Sequence, residues 1–506
     1  MSGRGTAPVT LTLINAHIVT MDQKQARASS LSIDNGLIDV VGHSYSASHR
    51  GAVIDLDGAT VLPGFVDTHV HAGVTGLGLM SCDLSDASSV DEVLSRVERR
   101  AACVGSRDLI VASGLDTGRV REGRFPTPEE LDAASGGRPV YVMGAGGHDS
   151  AVNGGGAALI EAPRAISLIA GDLVGEANNL AFNQIWHHFA EQVGLVTALD
   201  AVMKKAVSGG ITTVHTMDPL YVVEELLARD GEWPVTVVPF TETFDVEAVQ
   251  SLGLAQIGGC GQVALDGDVG PRTAALLEPY LAHPTEKGTL YHDDDELRDF
   301  VMAAHAAGLQ IALHCVGSGA IDQLLRAYEA VGAEGVRALR HRIEHFEVPA
   351  PGQAHRAAAL GVCVSVQPAF NHFWPHHDAY PEQLGAERAD RVDPVRSLVD
   401  AGVTVGFGSD SPVTPLSPLL GIHAAVNHSN VAERVDVTSA LMGFTSEAAR
   451  LSHHDGHMGI LRSGVAADLV ILGEDPFRVR QSELAEIPVL ATIADGAVVF
   501  SDGSIF

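Results

Sequence analysis

Val403-Thr404-Val405-Gly406-Phe407-Gly408-Ser409-Asp410-Ser411-Pro412 is an apolar strand pattern that runs into a carboxylate and a turn. Three other strand-like runs end in a comparable way. Phe65-Val66-Asp67-Thr68-His69-Val70-His71 closes on two imidazoles, Gln310-Ile311-Ala312-Leu313 leads to His314, and Arg342-Ile343-Glu344 leads to His345. A (β/α)₈ barrel collects its chemistry at the carboxyl ends of its strands, and these residues occupy such ends. The pattern therefore predicts an α/β fold built on a barrel whose mouth holds a metal.

The strand count agrees. Between the two ends of the chain, eight candidates fall at 65–71, 211–216, 234–240, 261–266, 309–315, 341–346, 361–367 and 403–409, separated mostly by helical stretches rich in Ala, Leu and Arg. That alternation is expected of parallel βα units. The gap at 74–205 is too long for one connection and has strand-like runs of its own at 109–114 and 140–144, so it reads as a subdomain inserted after the first strand, over the barrel mouth. At the amino end, 9–19, 30–41 and 52–62 are short strands punctuated by Asp34-Asn35-Gly36 and Asp57-Gly58. Residues 467–472 and 489–500 have the same character. The expected organisation is a composite β-sandwich domain from 1–62 and 455–506, beside a hydrolase barrel over 63–454 that includes the insertion 74–205.

Composition narrows the partners. The chain has 506 residues, 46% of them hydrophobic, enough for one large core and a smaller one. Its 63 acidic against 32 basic side chains, net −31, repel phosphate backbones and anionic membrane surfaces, so a small-molecule substrate is expected and neither nucleic acid nor a membrane. Five scattered cysteines without a C-x-x-C pair suit a reducing compartment, and no apolar run reaches a membrane span, so a cytoplasmic location is expected.

Residues two apart on a strand share a face, so His69 and His71 point the same way and can share one cation. With 24 histidines, roughly one His-x-His is expected by chance, and its placement on an otherwise apolar strand behind Pro63-Gly64 is what gives this one weight. A single histidine such as His314 or His345 is ordinarily a hydrogen-bonded loop neighbour; matching positions in consecutive βα units favour ligation instead. Asp410 would be both a ligand and the general base, with a helix cap as the plain alternative. Among softer candidates for touching substrate are His148 and Asn153 in the insertion, His215 at the end of the second strand, and Trp374 within Asn371-His372-Phe373-Trp374-Pro375-His376-His377. For Arg272 a structural ion pair is the better reading.

Taken in order, Pro63 to His71, Leu313-His314-Cys315-Val316-Gly317, His341 to His345 and Gly408 to Pro412 resemble the amidohydrolase superfamily. Gly147-His148-Asp149-Ser150-Ala151-Val152-Asn153, the run Asp266 to Leu276 and the tail Gly464 to Phe477 narrow the likeness to the YtcJ-like, or amidohydrolase-3, branch, which includes N-substituted formamide deformylases. The resemblance covers nearly the whole chain. It implies one or two divalent metals, hydrolysis of an amide or N-acyl/N-formyl C–N bond by activated water, and a homodimer. Zinc suits the ligand set best, while manganese, iron and cobalt are also accepted. Deamination, hydrolysis of a cyclic amide or ester, and a barrel that has become a binding module are the alternatives.

One departure stands out. Many superfamily members bridge two metals with a carboxylated lysine on the fourth strand, and the corresponding position by spacing from Asp266-Gly267 is Gln262. The four lysines, Lys24, Lys204, Lys205 and Lys287, all lie off the barrel strands. A mononuclear site, a bridging carboxylate from elsewhere, or a lost metal remain open. Glu176, in a stretch similar to the branch's Gly-x-Leu-x-Glu segment, is the candidate substitute ligand.

Overall fold

The computed structural model describes residues 10–43, 51–161, 171–375 and 380–506. His376 and His377, expected beside Trp374, lie outside them.

Eight parallel strands form the centre. Thr236–Thr241, Ile211–Asp218 and Phe65–Val70 pair side by side, and Gln256–Gly259, Gln310–Gly317, Arg342–Val348, Cys363–Val366 and Thr404–Phe407 form a second parallel run. The two runs meet where Val70 bridges Ser411 in parallel and Asp410 N–H donates to the His69 carbonyl at 2.8 Å. Strands buried on both faces read as continuous apolar runs rather than alternating ones, which is why they stand out in the sequence. Phe65, Ile211, Ile257, Leu313, Ile343, Val364 and Val405 belong to one buried cluster.

Two expectations about these strands are corrected. The fourth strand is Gln256–Gly259, not 261–266; Gly261–Val263 form a 3₁₀ turn, and the apolar Val263, Ala264 and Leu265 are buried without sheet pairing. The second strand continues to Asp218, so His215 sits within it rather than at its end.

The insertion contains a five-stranded mixed sheet, Gly171–Val174, Asp149–Val152, Val140–Gly144, Ile110–Leu115 and Cys82–Asp83. Its alternating side chains feed two cores, one with Tyr141, Met143 and Trp186, the other with Ile110, Val140 and Val142. The chain termini share a sheet as well: Thr60–Pro63 pairs antiparallel with Leu469–Leu472, next to Val489–Ala494 and Ala497–Ser501. Among the described residues, no helix is long and apolar enough to cross a membrane.

Candidate active site

His69 and His71 leave the first strand beside a helix, Ala72–Met80, whose first N–H groups, Ala72 and Gly73, donate to the Asp218 carboxylate at 3.0 and 2.9 Å. That cap from the neighbouring strand fixes where the strand ends. The imidazoles are oriented by their Nδ1 atoms. His69 Nδ1 donates to Glu344 Oε2 at 2.7 Å, and His71 Nδ1 donates to the Met217 carbonyl at 2.8 Å. Their Nε2 atoms then face Asp410 Oδ1 at 3.3 and 3.1 Å. Asp410 Oδ1 is thus buried between these two imidazole nitrogens. Asp410 holds this aim with a left-handed backbone, φ 54°.

The other two histidines, His314 within Gln310–Gly317 and His345 within Arg342–Val348, each lie three residues before the strand's end rather than at it, and they gather around a residue outside the expected set. Cys260 Sγ, just past the fourth strand, lies 3.7 Å from His314 Nδ1, 3.8 Å from His345 Nε2 and 3.4 Å from His69 Nε2. His345 Nδ1 is tied to Gln367 Oε1 at 2.8 Å, so this ring too is oriented by its far nitrogen. Two triads could therefore hold a cation: His69, His71 and Asp410, and His69, Cys260 and His345.

The electrostatics match that geometry. Burial opposes charge on His69 and His71, but the facing Cys260 and Asp410 raise both well above the ordinary imidazole range. Burial likewise opposes ionisation of Asp410 and Cys260, yet the histidines hold each well below its usual range. The site is thus built to hold positive charge. Held as protons, that charge would place two imidazoliums against one another, with the His69 and His71 ring centres 5.3 Å apart. Two like charges at that distance repel by about 3 kcal/mol at an effective dielectric of ~20. A divalent ion would serve the same donors from one centre, so the residues fit a metal.

Around His69 the support is a buried ion pair. Arg342 Nε and Nη2 donate to the Glu344 carboxylate at 2.8 and 2.9 Å, and Nη2 also donates to the Thr68 carbonyl at 2.8 Å. Burial raises the Glu344 pKa, but Arg342 and His69 outweigh it and hold the group below the usual carboxylate range. Arg342 Nη1 donates to His215 Nδ1 at 3.0 Å. His215 is therefore a buried acceptor behind the site and not a substrate contact, which corrects that expectation. Burial and Arg342 keep it neutral.

A cavity of about 620 Å³ opens over these groups, with His71, His148, Cys260, His314, His345 and Asp410 in its lining. Glu242, from the end of the third strand and unremarked in the sequence, is also there; its Oε1 is 3.7 Å from His71 Nδ1, and burial pushes its carboxyl up to about 8. The insertion supplies one wall, with Leu115, Met143, His148 and Phe182, while Phe370 and Trp374 supply another. Two insertion residues fail their expected roles. Asn153 is fully buried and committed: Oδ1 accepts from Val140 and Gly156 N–H, and Nδ2 donates to Asp132 and the Arg138 carbonyl. Glu176 is exposed on the first turn of the helix Gly175–Val193 and does not line the cavity, so it is not placed to bridge the histidines. Arg272 pairs with Glu286 at 3.0 Å, the structural role expected of it.

Parallel strands whose ends bring histidines and an aspartate to the floor of a cavity define a hydrolase of the α/β class. Residues 52–500 match the amidohydrolase family, and the chain belongs to it: an enzyme acting on carbon–nitrogen bonds. Putative amidohydrolase YtcJ of Bacillus subtilis is 27% identical over 96% of this chain and 98% of its own length. N-substituted formamide deformylase of Arthrobacter pascens is 27% identical over the same shares, 96% and 98%. Among solved structures, an uncharacterized metal-dependent hydrolase from Pyrococcus horikoshii superposes with a TM-score of 0.76 at 27% identity, covering 93% of this chain and 99% of that one.

Proposed function

We propose that this chain is a metal-dependent amidohydrolase that cleaves the C–N bond of an amide, N-acyl or N-formyl group on a small molecule. The observation that carries the reading is the convergence of His71, His314, His345 and Asp410 on one cavity lining, with the buried His69 3.3 Å from Asp410. These residues would hold the divalent ion or ions, and histidine with carboxylate suits zinc. When bound, such an ion supplies Lewis acidity and lowers the pKa of water.

Asp410 is the proton carrier. Its carboxylate, at the edge of the cavity beside the His69 and His71 Nε2 atoms, takes the proton of the attacking water and returns it to the leaving nitrogen. His148 lines the cavity with its ring centre 5.5 Å from that of His314; burial and His314 lower its pKa, so it acts as a neutral N–H donor to the substrate carbonyl. Phe370 and Trp374 offer an aromatic surface, their ring centres 5.8 Å apart. The lining carries Asp116, Asp149, Glu242, Asp268, Glu347 and Asp410, and no lysine or arginine among the described residues. Burial, and after it the facing Asp268, push Asp149 up to about 6.

The frame of the reading is a (β/α)₈ barrel over 63–454, with the insertion 74–205 over its mouth and a composite β-sandwich from 1–62 and 455–506. It is supported by the eight parallel strands and by the sheet shared between the termini. The test is Asp410→Asn, assayed on a panel of N-formyl and N-acyl amines with folding checked by circular dichroism. Turnover should fall by about 10²- to 10⁴-fold; a folded variant with full turnover would refute the assignment.

A further inference from the structure

We infer that Cys260 is a metal ligand of this centre, its thiolate joining the Asp410 half of the site to the His314 and His345 half. The inference rests on the metal-dependent reading above and goes beyond it by naming the group that replaces a bridging carboxylate. Three ring nitrogens from three different strands face one sulfur, His69 Nε2 at 3.4 Å, His314 Nδ1 at 3.7 Å and His345 Nε2 at 3.8 Å. A thiol has a single proton and can satisfy at most one of them. Thiolate and imidazole are the donor pair that zinc, cobalt and iron accept together. His69 Nε2 also lies 3.3 Å from Asp410 Oδ1, so the sulfur is adjacent to both halves at once.

The backbone is built to put this side chain there. Gly258 and Gly261 flank Cys260 with φ of 109° and 58°, a region L side chains seldom adopt. A Cβ on Gly258 would sit 2.0 Å from the Ala312 carbonyl oxygen, and one on Gly261 would sit 2.4 Å from Glu242 Oε2. The positive-φ backbone on both sides of Cys260 favours glycine, and the closest approach is to the Ala312 carbonyl; this chain path sets Cys260 in the cavity lining. The other buried cysteines differ: neither Cys315 nor Cys363 lines the cavity. Glu242 also lines the cavity and is the competing ligand; its one close ring nitrogen, His71 Nδ1 at 3.7 Å, is hydrogen-bonded to the Met217 carbonyl, whereas Cys260 Sγ meets three ring nitrogens.

The experiment is reconstitution of the full chain with Co²⁺, followed by near-ultraviolet absorption and elemental analysis, on wild type, Cys260→Ser and Cys103→Ser as an exposed-thiol control. The expected result is a sulfur-to-cobalt charge-transfer band in wild type and Cys103→Ser that disappears in Cys260→Ser, with cobalt per chain falling by half or more. Bound cobalt without the band in wild type, or a band that survives in Cys260→Ser, overturns the inference and leaves the hydrolase reading standing. Failure of wild type to bind any divalent metal refutes the metal-dependent reading itself. Should Cys260→Ser not fold, iodoacetamide labelling of wild type read by peptide mass spectrometry decides: Cys260 should be labelled after chelation and protected at least tenfold by added Co²⁺, and equal labelling in both states overturns the assignment.

Discussion

The parallel strands and the five-stranded mixed sheet with its helix Gly175–Val193 both contribute to the cavity, yet their residues behave differently. At the strand ends His69, His71, His314, His345 and Asp410 converge, because strand pairing passes position from one strand to the next. In the insertion, Asn153 is consumed in capping Gly154–Ala157, and Glu176 is turned outward. His148 alone of the three insertion candidates lines the cavity. A side chain's chemistry is a reliable guide to its role where regular pairing dictates its direction. Where a loop or short helix dictates it, buried backbone groups claim polar side chains first.

The comparison is tested hardest at Glu344, which supports the strand-end site from behind. Glu344→Gln leaves the Arg342 charge buried without its carboxylate and loosens His69, so stability should drop by about 3–5 kcal/mol and metal affinity by about 10- to 100-fold. Chemical denaturation and metal titration read both, and a variant with unchanged metal affinity would break the link between Glu344 and the site. A smaller and purely structural effect is expected in the insertion. Asn153→Ala should cost about 1–3 kcal/mol, since it strands the buried Val140 N–H, while kcat of the folded enzyme stays within about twofold of wild type. A large loss of kcat at unchanged stability would restore Asn153 as a substrate contact.

The opposite ends of the strands should matter only for stability. His341, just before the sixth strand, is buried against His305, which together lower its pKa to about 3. An unfolded histidine titrates near pH ~6.5, so the folded form binds its proton less readily. Stability is therefore full above that pH and falls on acidification toward the folded value, by about 1.4 kcal/mol per pH unit. Urea midpoints measured between pH 7 and 5 should fall more steeply for wild type than for His341→Asn; equal slopes would exclude the group.

Much of the fold was legible because the strands are apolar on both faces and end in chemistry-bearing residues. The strand around Gly258-Gly259 was not, since glycines at a strand end look like a turn, and the neighbouring apolar Val263-Ala264-Leu265 drew the expected strand five residues too late. That shift also hid Cys260. Spacing from Asp266-Gly267 pointed to Gln262, whereas the strand end, the same signal that marked His314 and His345, lies at Cys260. His215 was misplaced for a related reason: its strand is longer than its apolar pattern, and its buried ring serves Arg342.

Hydrolysis by this chain is expected to depend on a metal held by the strand residues without help from Glu176. Divalent metal per chain together with turnover of N-formyl and N-acyl amines decides this, measured on wild type and Glu176→Gln before chelation, after it, and after metal is restored. The expected result is stoichiometric metal in both proteins and activity that disappears with the metal and returns with it. Metal-free wild type that still turns over substrate, or loss of metal in Glu176→Gln, would contradict it.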